Sequence, residues 1–396
     1  MSHQLIALNP DLQKLRDEGY DIEIRGGYLL VKDVPYVAAN LVVRRGTLVS
    51  KLELAGDLTV PPTDHVAYWI GDHPCHSTGA RIGTFENPSP PQDLGGGLHV
   101  NHTFSAKAAY RDYHHKMTTY LGRIVGEAQK IDPAATSQTF PVYAAEESES
   151  VFRYLDTASS RVNIVALNKR FDAQRIGIIG LGGTGAYVLD FVAKTGVKEI
   201  HLFDGDLFLQ HNAFRAPGAA SIDDLRAKQQ KVTHWARVYD AMRRGVIAHE
   251  GYLDESSASV LEGLDFVFVC VDNGEAKSSL LAALEAYGLP FIDVGLGIVR
   301  SEDQLSGLLR VSTSTTRTRA QARAHIPLVE TDAGENEYSN NIQIAELNAL
   351  NAALAVVRWK KVLGYYGDDT RDYYCGYSIR ANDIVNETAD DATGID

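Results

Sequence analysis

The run Gly180-Leu181-Gly182-Gly183-Thr184-Gly185 is where residue type and spacing in this 396-residue chain first suggest chemistry. Glycines let a backbone close on a phosphate, and a helix starting there adds unpaired N–H groups and a positive dipole end. An apolar stretch, 176–179, precedes the run and a helical pattern follows it, which is the context a nucleotide-binding turn needs. Asp204 and Asp206 close the next apolar stretch in Leu202-Phe203-Asp204-Gly205-Asp206. A carboxylate at that place can accept both ribose hydroxyl protons of NAD or of ATP. The residues beyond separate those two nucleotides. Asn212, Arg215 and Lys228 follow, and a further apolar stretch, 266–270, leads to Val271-Asp272-Asn273. A hydride transfer has no use for an Arg, a Lys and a strand-terminal carboxylate converging on phosphates. An adenylyl transfer does: cations stabilise charge growing on the α-phosphate and the leaving pyrophosphate, and Asp272 can hold Mg²⁺.

The elements that position these residues alternate from residue 146 onward. A helical pattern over 151–166 leads to a strand at 175–179, a helix at 186–195 and a strand at 199–203. A helix (222–244), a strand (246–249), another helix and the strand 266–271 follow, then a helix over 276–287 and a strand at 290–295. Short continuous apolar strands between amphipathic helices predict a mainly parallel sheet covered on both faces, with ligands beyond the strand C-termini. A helix over 345–363, rich in Ala and Leu, suits close packing in a core or a dimer interface. Residues 1–145 read as a smaller α+β domain. It has a helix at 10–18, strands at 20–25, 28–31, 40–43, 47–54 and 65–70, a Gly/Pro-rich loop at 79–97 and a helical pattern over 106–129. A linker-like stretch at 132–137 divides it from the α/β domain, 146–385, and residues 386–396 form an acidic, apolar-poor tail expected to be disordered.

Composition narrows the function classes. A formal charge of −13 disfavours a broad nucleic-acid contact, although a few cations inside an acidic protein can still hold ATP. No stretch has the roughly 20 apolar residues of a membrane helix, and the N-terminus carries no secretory pattern, so a cytoplasmic enzyme is the expectation. Cys75, Cys270 and Cys375 are too few and scattered for a disulfide framework, and the absence of a C-x-x-C pair excludes a tetrathiolate zinc site. His73, Cys75, His76, His102, His114 and His115 match no standard zinc spacing.

Taken in order, these motifs resemble the ThiF/MoeB and ubiquitin-activating enzyme superfamily, whose pattern is G-x-G-G-x-G, D-x-D, S-N-x-x-R-Q, a Lys thirteen residues past that Arg, then D-N after an apolar strand. They stand here as Gly180, Gly182, Gly183 and Gly185, Asp204 and Asp206, Asn212 and Arg215, Lys228, and Asp272 with Asn273, and the similarity spans about 150–380. The resemblance implies a Rossmann-like adenylation domain using ATP and Mg²⁺. Asp204 would bind ribose, Asn212, Arg215 and Lys228 would contact phosphate, and Asp272 would coordinate the metal. The implied reaction is adenylation of the C-terminal carboxylate of a ubiquitin-like protein, with acyl transfer to a conjugating enzyme. The family's early R-Y-S-R helix has a stretched counterpart in Phe152-Arg153-Tyr154 and Ser159-Ser160-Arg161. Arg161 is thus the candidate for an arginine that reaches the ATP of the other protomer in a homodimer.

The chain departs from the family in three places. Ala216 replaces the Gln after Arg215, Lys277 stands where an Arg follows D-N, and 308–335 contains no cysteine where the catalytic one is expected. The acyl group would then pass directly to a partner, or to a hydroxyl among Ser312, Thr313, Ser314, Thr315 and Thr316, a stretch that otherwise reads as a polar loop. Cys270 and Cys375 read as structural thiols. Residues 1–145 have the helix-then-strand order of a conjugating-enzyme fold without its cysteine, suited to docking the modifier or its conjugating enzyme. Two other classes remain open: an NAD-dependent oxidoreductase, and a nucleotide-binding scaffold without turnover.

Overall fold

The computed structural model describes residues 2–145, 150–161, 164–253, 258–271, 275–328 and 342–388. Contacts divide the chain into two compact units, residues 1–143 with 156–163, and residues 144–155 with 164–396. No described helix is long and apolar enough to cross a membrane.

The first unit opens with α1 (Ser2–Leu8) and α2 (Pro10–Asp17), the latter started by proline, whose missing N–H costs nothing in a first turn. The strands are β1 (Ile22–Arg25), β2 (Tyr28–Val37), β3 (Val43–Lys51), the small hairpin β4 (Leu54–Ala55) and β5 (Leu58–Thr59), then β6 (Val66–Ile70) and β7 (Glu86–Asn87). A second small hairpin, β8 (Gln92–Asp93) and β9 (His99–Val100), precedes β10 (His102–Ser105). Antiparallel pairing gives a six-stranded sheet in the order β1-β2-β3-β6-β10-β7. The strands expected at 40–43 and 47–54 are one strand, β3, because Leu41 takes a positive φ (64°) and turns the chain before Val43. Helix α3 (Tyr113–Gln129) starts at Asp112, whose side chain accepts the His115 N–H at 2.7 Å. Its Tyr113, Met117, Tyr120, Leu121 and Ile124 recur every three or four residues and bury against Leu29, Val31, Leu48, Ala67, Trp69 and Phe104 of the sheet. The short α4 (Thr157–Arg161) also belongs to this unit.

The second unit is doubly wound. After α5 (Val165–Asn168) come β11 (Arg175–Ile179), α6 (Gly183–Ala193), β12 (Glu199–Asp204), α7 (Gln210–Ala213), α8 (Ile222–Ala227), α9 (Lys231–Asp240) and β13 (Val246–Glu250). Then follow β14 (Phe266–Val269), α10 (Glu275–Ala286), β15 (Phe291–Ser301), β16 (Gln304–Ser314), α11 (Arg319–Ala324), α12 (Ala345–Val362), β17 (Asp372–Ser378) and β18 (Asp383–Thr388). The sheet order is β13-β12-β11-β14-β15-β16-β17-β18; the first five strands are parallel and the rest antiparallel. One face packs Ile176, Ile178, Leu202, Phe268 and Ile292 against Val188, Leu189 and Val192 of α6 and Ala352, Ala355 and Trp359 of α12. The other packs Ile179, Phe203, Val269 and Phe291 against Leu280, Leu281 and Leu284 of α10. This is the Rossmann-like α/β domain after a smaller domain that the sequence predicts, and α12 is core.

Three local expectations fail for tertiary reasons. Residues 151–155 are extended rather than helical: Arg153 N–H bonds Met242 C=O at 2.9 Å, and Arg244 donates to the Ser150 and Phe152 carbonyls. The long helix over 222–244 is two, α8 and α9, interrupted at Lys228 with φ 46°. Strand β18 runs to Thr388 and takes in the start of the expected tail; 389–396 lie outside the described residues.

Candidate functional site

An open cavity of about 380 Å³ lies beyond the C-terminal ends of β11, β12, β13 and β14. Open α/β sheets place ligands here, because strand ends and helix starts leave backbone groups unpaired. Gly180, Gly182, Asp204, Asp206, Arg215, Lys231, Lys277 and Gln343 supply its polar wall, and Ile179, Phe203, Leu253, Val271 and Leu280 an apolar one.

The four glycines divide into two roles. Gly180 takes φ +89°, and a Cβ there would stand 2.6 Å from the Cys270 carbonyl oxygen. A Cβ on Gly185 would stand 1.9 Å from the Gly180 oxygen, and one on Gly183 2.0 Å from Nδ2 of Asn348 in α12. These three make a close strand–helix turn possible. Gly182 is different: the nearest atom to a Cβ there is Gln343 Oε1 at 3.9 Å, so its surroundings are open beside the start of α6. Gln343 Oε1 also accepts the Gly183 N–H at 3.3 Å, and Thr184 Oγ1 donates to Asn348 Oδ1 at 2.9 Å.

Asp204, buried at the end of β12, organises the floor. Its Oδ2 accepts the Leu181 N–H of the glycine turn at 2.6 Å, and its Oδ1 accepts the Asp206 N–H at 2.8 Å. Lys231 Nζ lies 2.6 Å from Asp206 Oδ2 and 3.4 Å from Asp204. Lysine in a helix's first turn has the wrong sign for the dipole, and one only 5% exposed needs carboxylate partners. Hydrogen bonds from Lys231 and from the Tyr252 hydroxyl hold the Asp206 carboxyl below its ordinary range. Arg215 is fixed through its backbone: its N–H bonds the Asn212 carbonyl at 3.1 Å, and its carbonyl accepts from Asn348 at 3.3 Å. Its buried Nε has no partner among the described residues, leaving a donor for a ligand.

Behind the wall lies a buried charge triad. Lys277 Nζ is 2.6 Å from Asp293 Oδ1, and Arg310 Nη1 is 2.7 Å from Oδ2 and 3.1 Å from Ser312 Oγ. Burial, and next the charge of Asp293, drive the Cys270 thiol far above its usual pKa, so this cavity-lining cysteine is not a ready nucleophile. The Cys375 thiol is also pushed up by burial.

Of the residues singled out from sequence, the structure brings Gly180, Gly182, Asp204, Asp206 and Arg215 together around the cavity. Gly183 and Gly185 support the turn. Lys228 is not brought there. It is exposed at the left-handed C-cap of α8 and absent from the cavity wall; the cation at that place is Lys231. Counting thirteen residues past Arg215 stops in the turn before α9, three residues short. Asn212 is buried, and its Oδ1 accepts the Leu209 N–H at 2.8 Å, capping α7 rather than lining the cavity. Arg161 ends α4, but its side chain lies outside the described residues, as do Asp272 and Asn273 altogether. The hydroxyls expected in a polar loop are instead in the sheet: Ser312, Thr313 and Ser314 are buried in β16, and only Thr315 and Thr316 reach solvent. Among the described residues no cluster of three His, Cys, Asp or Glu could hold a metal. Sequence reasoning missed Lys231, Tyr252 and Gln343, which carry no local motif and reach the cavity only through the fold.

The ThiF family model matches residues 157–388, more than half of the chain, and a model described as "Domain of unknown function (DUF6791)" matches residues 10–157. Among curated proteins, the ubiquitin-like modifier-activating enzyme 5 of Drosophila mojavensis is 26% identical over 161 residues, covering 38% of this chain and 39% of that protein. Its counterpart from Branchiostoma floridae is 28% identical over 167 residues, 39% of this chain and 40% of that one. The chain thus spans about two-fifths of the length of these relatives. Among solved structures, PaaA (TM-score 0.45, 15% identity) covers 59% of this chain and 80% of its own. E. coli MccB with ATP (TM-score 0.41, 17% identity) covers 57% and 67%.

Proposed function

This chain belongs to the ThiF family, and on that premise we propose that it adenylates the C-terminal carboxylate of a ubiquitin-like protein with Mg·ATP and passes the acyl group to a conjugating partner. The observation that carries this reading is the convergence of Arg215 and Lys231 with the glycine turn on one cavity at the strand C-termini. The naming of the relatives as ubiquitin-like modifier-activating enzymes supports the substrate class.

The residues fit a nucleoside triphosphate. Gly182 leaves its surroundings open at the start of α6, the Arg215 Nε is an unmet buried donor, and the apolar wall can take a base. In the reaction a carboxylate oxygen bonds to the α-phosphorus while the bond from that phosphorus to the bridging oxygen breaks and pyrophosphate leaves. Negative charge builds on the leaving group, where Arg215 and Lys231 stabilise it. Lys231 rests on Asp206 until phosphate competes for it. Asp272 remains the residue proposed to hold Mg²⁺.

Direct transfer to a partner is favoured over an oxyester on this chain. Ser312, Thr313 and Ser314 are sealed in β16 and both thiols of this unit are held protonated by burial; Thr315 and Thr316 reach solvent, and their replacement by Ala should leave acyl transfer unchanged. Arg161 is proposed to complete the site of a second copy. Mixing inactive Arg161→Ala and Lys231→Ala chains should then restore activity, and failure to do so would remove that role. We further propose that residues 2–143 dock the modifier or its conjugating enzyme. Adding those proteins should slow hydrogen exchange there, and unchanged exchange would exclude it.

The test of the main reading is ATP–pyrophosphate exchange in the presence of candidate ubiquitin-like proteins. Modifier-dependent exchange should be abolished in Lys231→Ala and kept in Lys228→Ala. Exchange that survives Lys231→Ala and disappears with Lys228→Ala would overturn the assignment, and ATP binding without exchange for any modifier would indicate a scaffold.

A further inference from the structure

One residue of the cavity belongs to neither its catalytic cations nor its buried floor. Tyr252 follows β13 and is 74% exposed. Two contacts nonetheless fix it. Its hydroxyl donates to Asp206 Oδ1, and its ring lies so close over Gly205 that a Cβ there would stand 2.7 Å from it. Asp206 is in turn held by Lys231 at 2.6 Å, so the phenol is anchored to an ion pair that is itself part of the cavity. The ring also lines the cavity beside Leu253, and Ile179, Phe203, Val271 and Leu280 continue this apolar wall. A flat, prepositioned π-face next to an apolar wall, with phosphate-binding groups nearby, is the chemistry that recognises a nucleobase.

We propose that Tyr252 stacks on the base of the bound nucleotide, with Asp206 as its positioning residue, and so distinguishes a nucleotide from a bare polyphosphate. This rests on the nucleotide reading above. Glycine at 205 is required because any side chain would displace the ring. Base–aromatic stacking is sequence-tolerant, so the platform favours larger ring systems without hydrogen-bond readout.

The experiment is calorimetric titration of the full chain with ATP and, separately, with inorganic tripolyphosphate, for wild type, Tyr252→Ala and Gly205→Ala. Tyr252 is exposed, and unchanged melting of the Ala variant verifies that it folds. The expected result for Tyr252→Ala is an ATP affinity weaker by roughly tenfold with tripolyphosphate affinity nearly unchanged. Gly205→Ala should lower the same ATP-to-tripolyphosphate ratio. A Tyr252→Ala ratio within about twofold of wild type overturns the proposal, whether both affinities hold or fall together, because stacking on the base alone predicts a selective loss. Wild-type chain that binds no ATP at all would instead refute the nucleotide reading, a failure distinct from this one.

Discussion

Replacing Asp293 by Asn tests how the second wall of the cavity is held. Asp293 is fully buried between Lys277 and Arg310, whose side chains are only 2% and 12% exposed. In the variant the shape is nearly kept, but two buried cations lose their shared counter-charge. Breaking a buried pair by removing one partner costs about 3–5 kcal/mol, because the remaining charge is uncompensated. Arg310 is hemmed in by Gly295, where a Cβ would stand 2.5 Å from Nη2, and Lys277 keeps a bond to the Val271 carbonyl at 3.3 Å. For a unit of this size, about 3–5 kcal/mol lowers the midpoint of melting by roughly 6–20 °C. Scanning calorimetry of the full chain is the assay, and adding Lys277→Met to the Asn variant should recover part of the loss by removing one stranded cation. A second readout is local. Burial and, next, the charge of Asp293 raise the Cys270 thiol pKa, so removing that charge should make alkylation at Cys270 faster than in wild type. Melting within about 1 kcal/mol of wild type would refute the reasoning, since it would mean the two cations are compensated without Asp293.

The glycine turn makes a paired prediction. Gly183→Ala drives a methyl into Asn348 at 2.0 Å and should destabilise by about 1–3 kcal/mol, whereas Gly182→Ala should melt like wild type and bind ATP more weakly; equal stability losses in calorimetry would contradict the division of roles. In the first unit, Lys130, the Ser77 N–H and His76 lower the Glu127 carboxyl from 4.5 to about 2. A folded pKa below the unfolded one gives stability that is complete above pH 4.5 and lost as pH falls toward about 2. Hydrogen exchange of α3 should therefore separate wild type from Glu127→Gln above pH 4.5 and converge near pH 2, while a gap that persists in acid would assign the effect to packing.

Much of the second unit was legible because its strands, buried on both faces, are short continuous apolar runs. β11, the glycine turn and Asp204 follow one another within a single local pattern. What was not legible depends on partners distant in sequence. Lys231 was missed because spacing past Arg215 is a family count, while the turn at Lys228 inserts three residues before α9. The carboxylates of Asp204 and Asp206, brought beside it by the fold and invisible as a pair in sequence, decide which lysine enters. Ser312, Thr313 and Ser314 read as a loop by composition, yet β15 and β17 pair on either side of β16 and bury them. Residues 151–155 scan as helix, but backbone groups of 239–244 and the Arg244 guanidinium bind them in extended form. Gln343 and Tyr252 come from connections whose position depends on the whole sheet.

Trapping the activated carboxylate is the most direct test of the central claim. The chain, Mg·ATP and a candidate ubiquitin-like protein would be incubated with hydroxylamine, and the modifier analysed by intact mass and terminal-peptide sequencing. The account predicts a hydroxamate at the terminal carboxylate, formed with AMP and pyrophosphate and absent with Lys231→Ala. ADP and phosphate as products, or AMP released with every modifier's terminus unaltered, would contradict it.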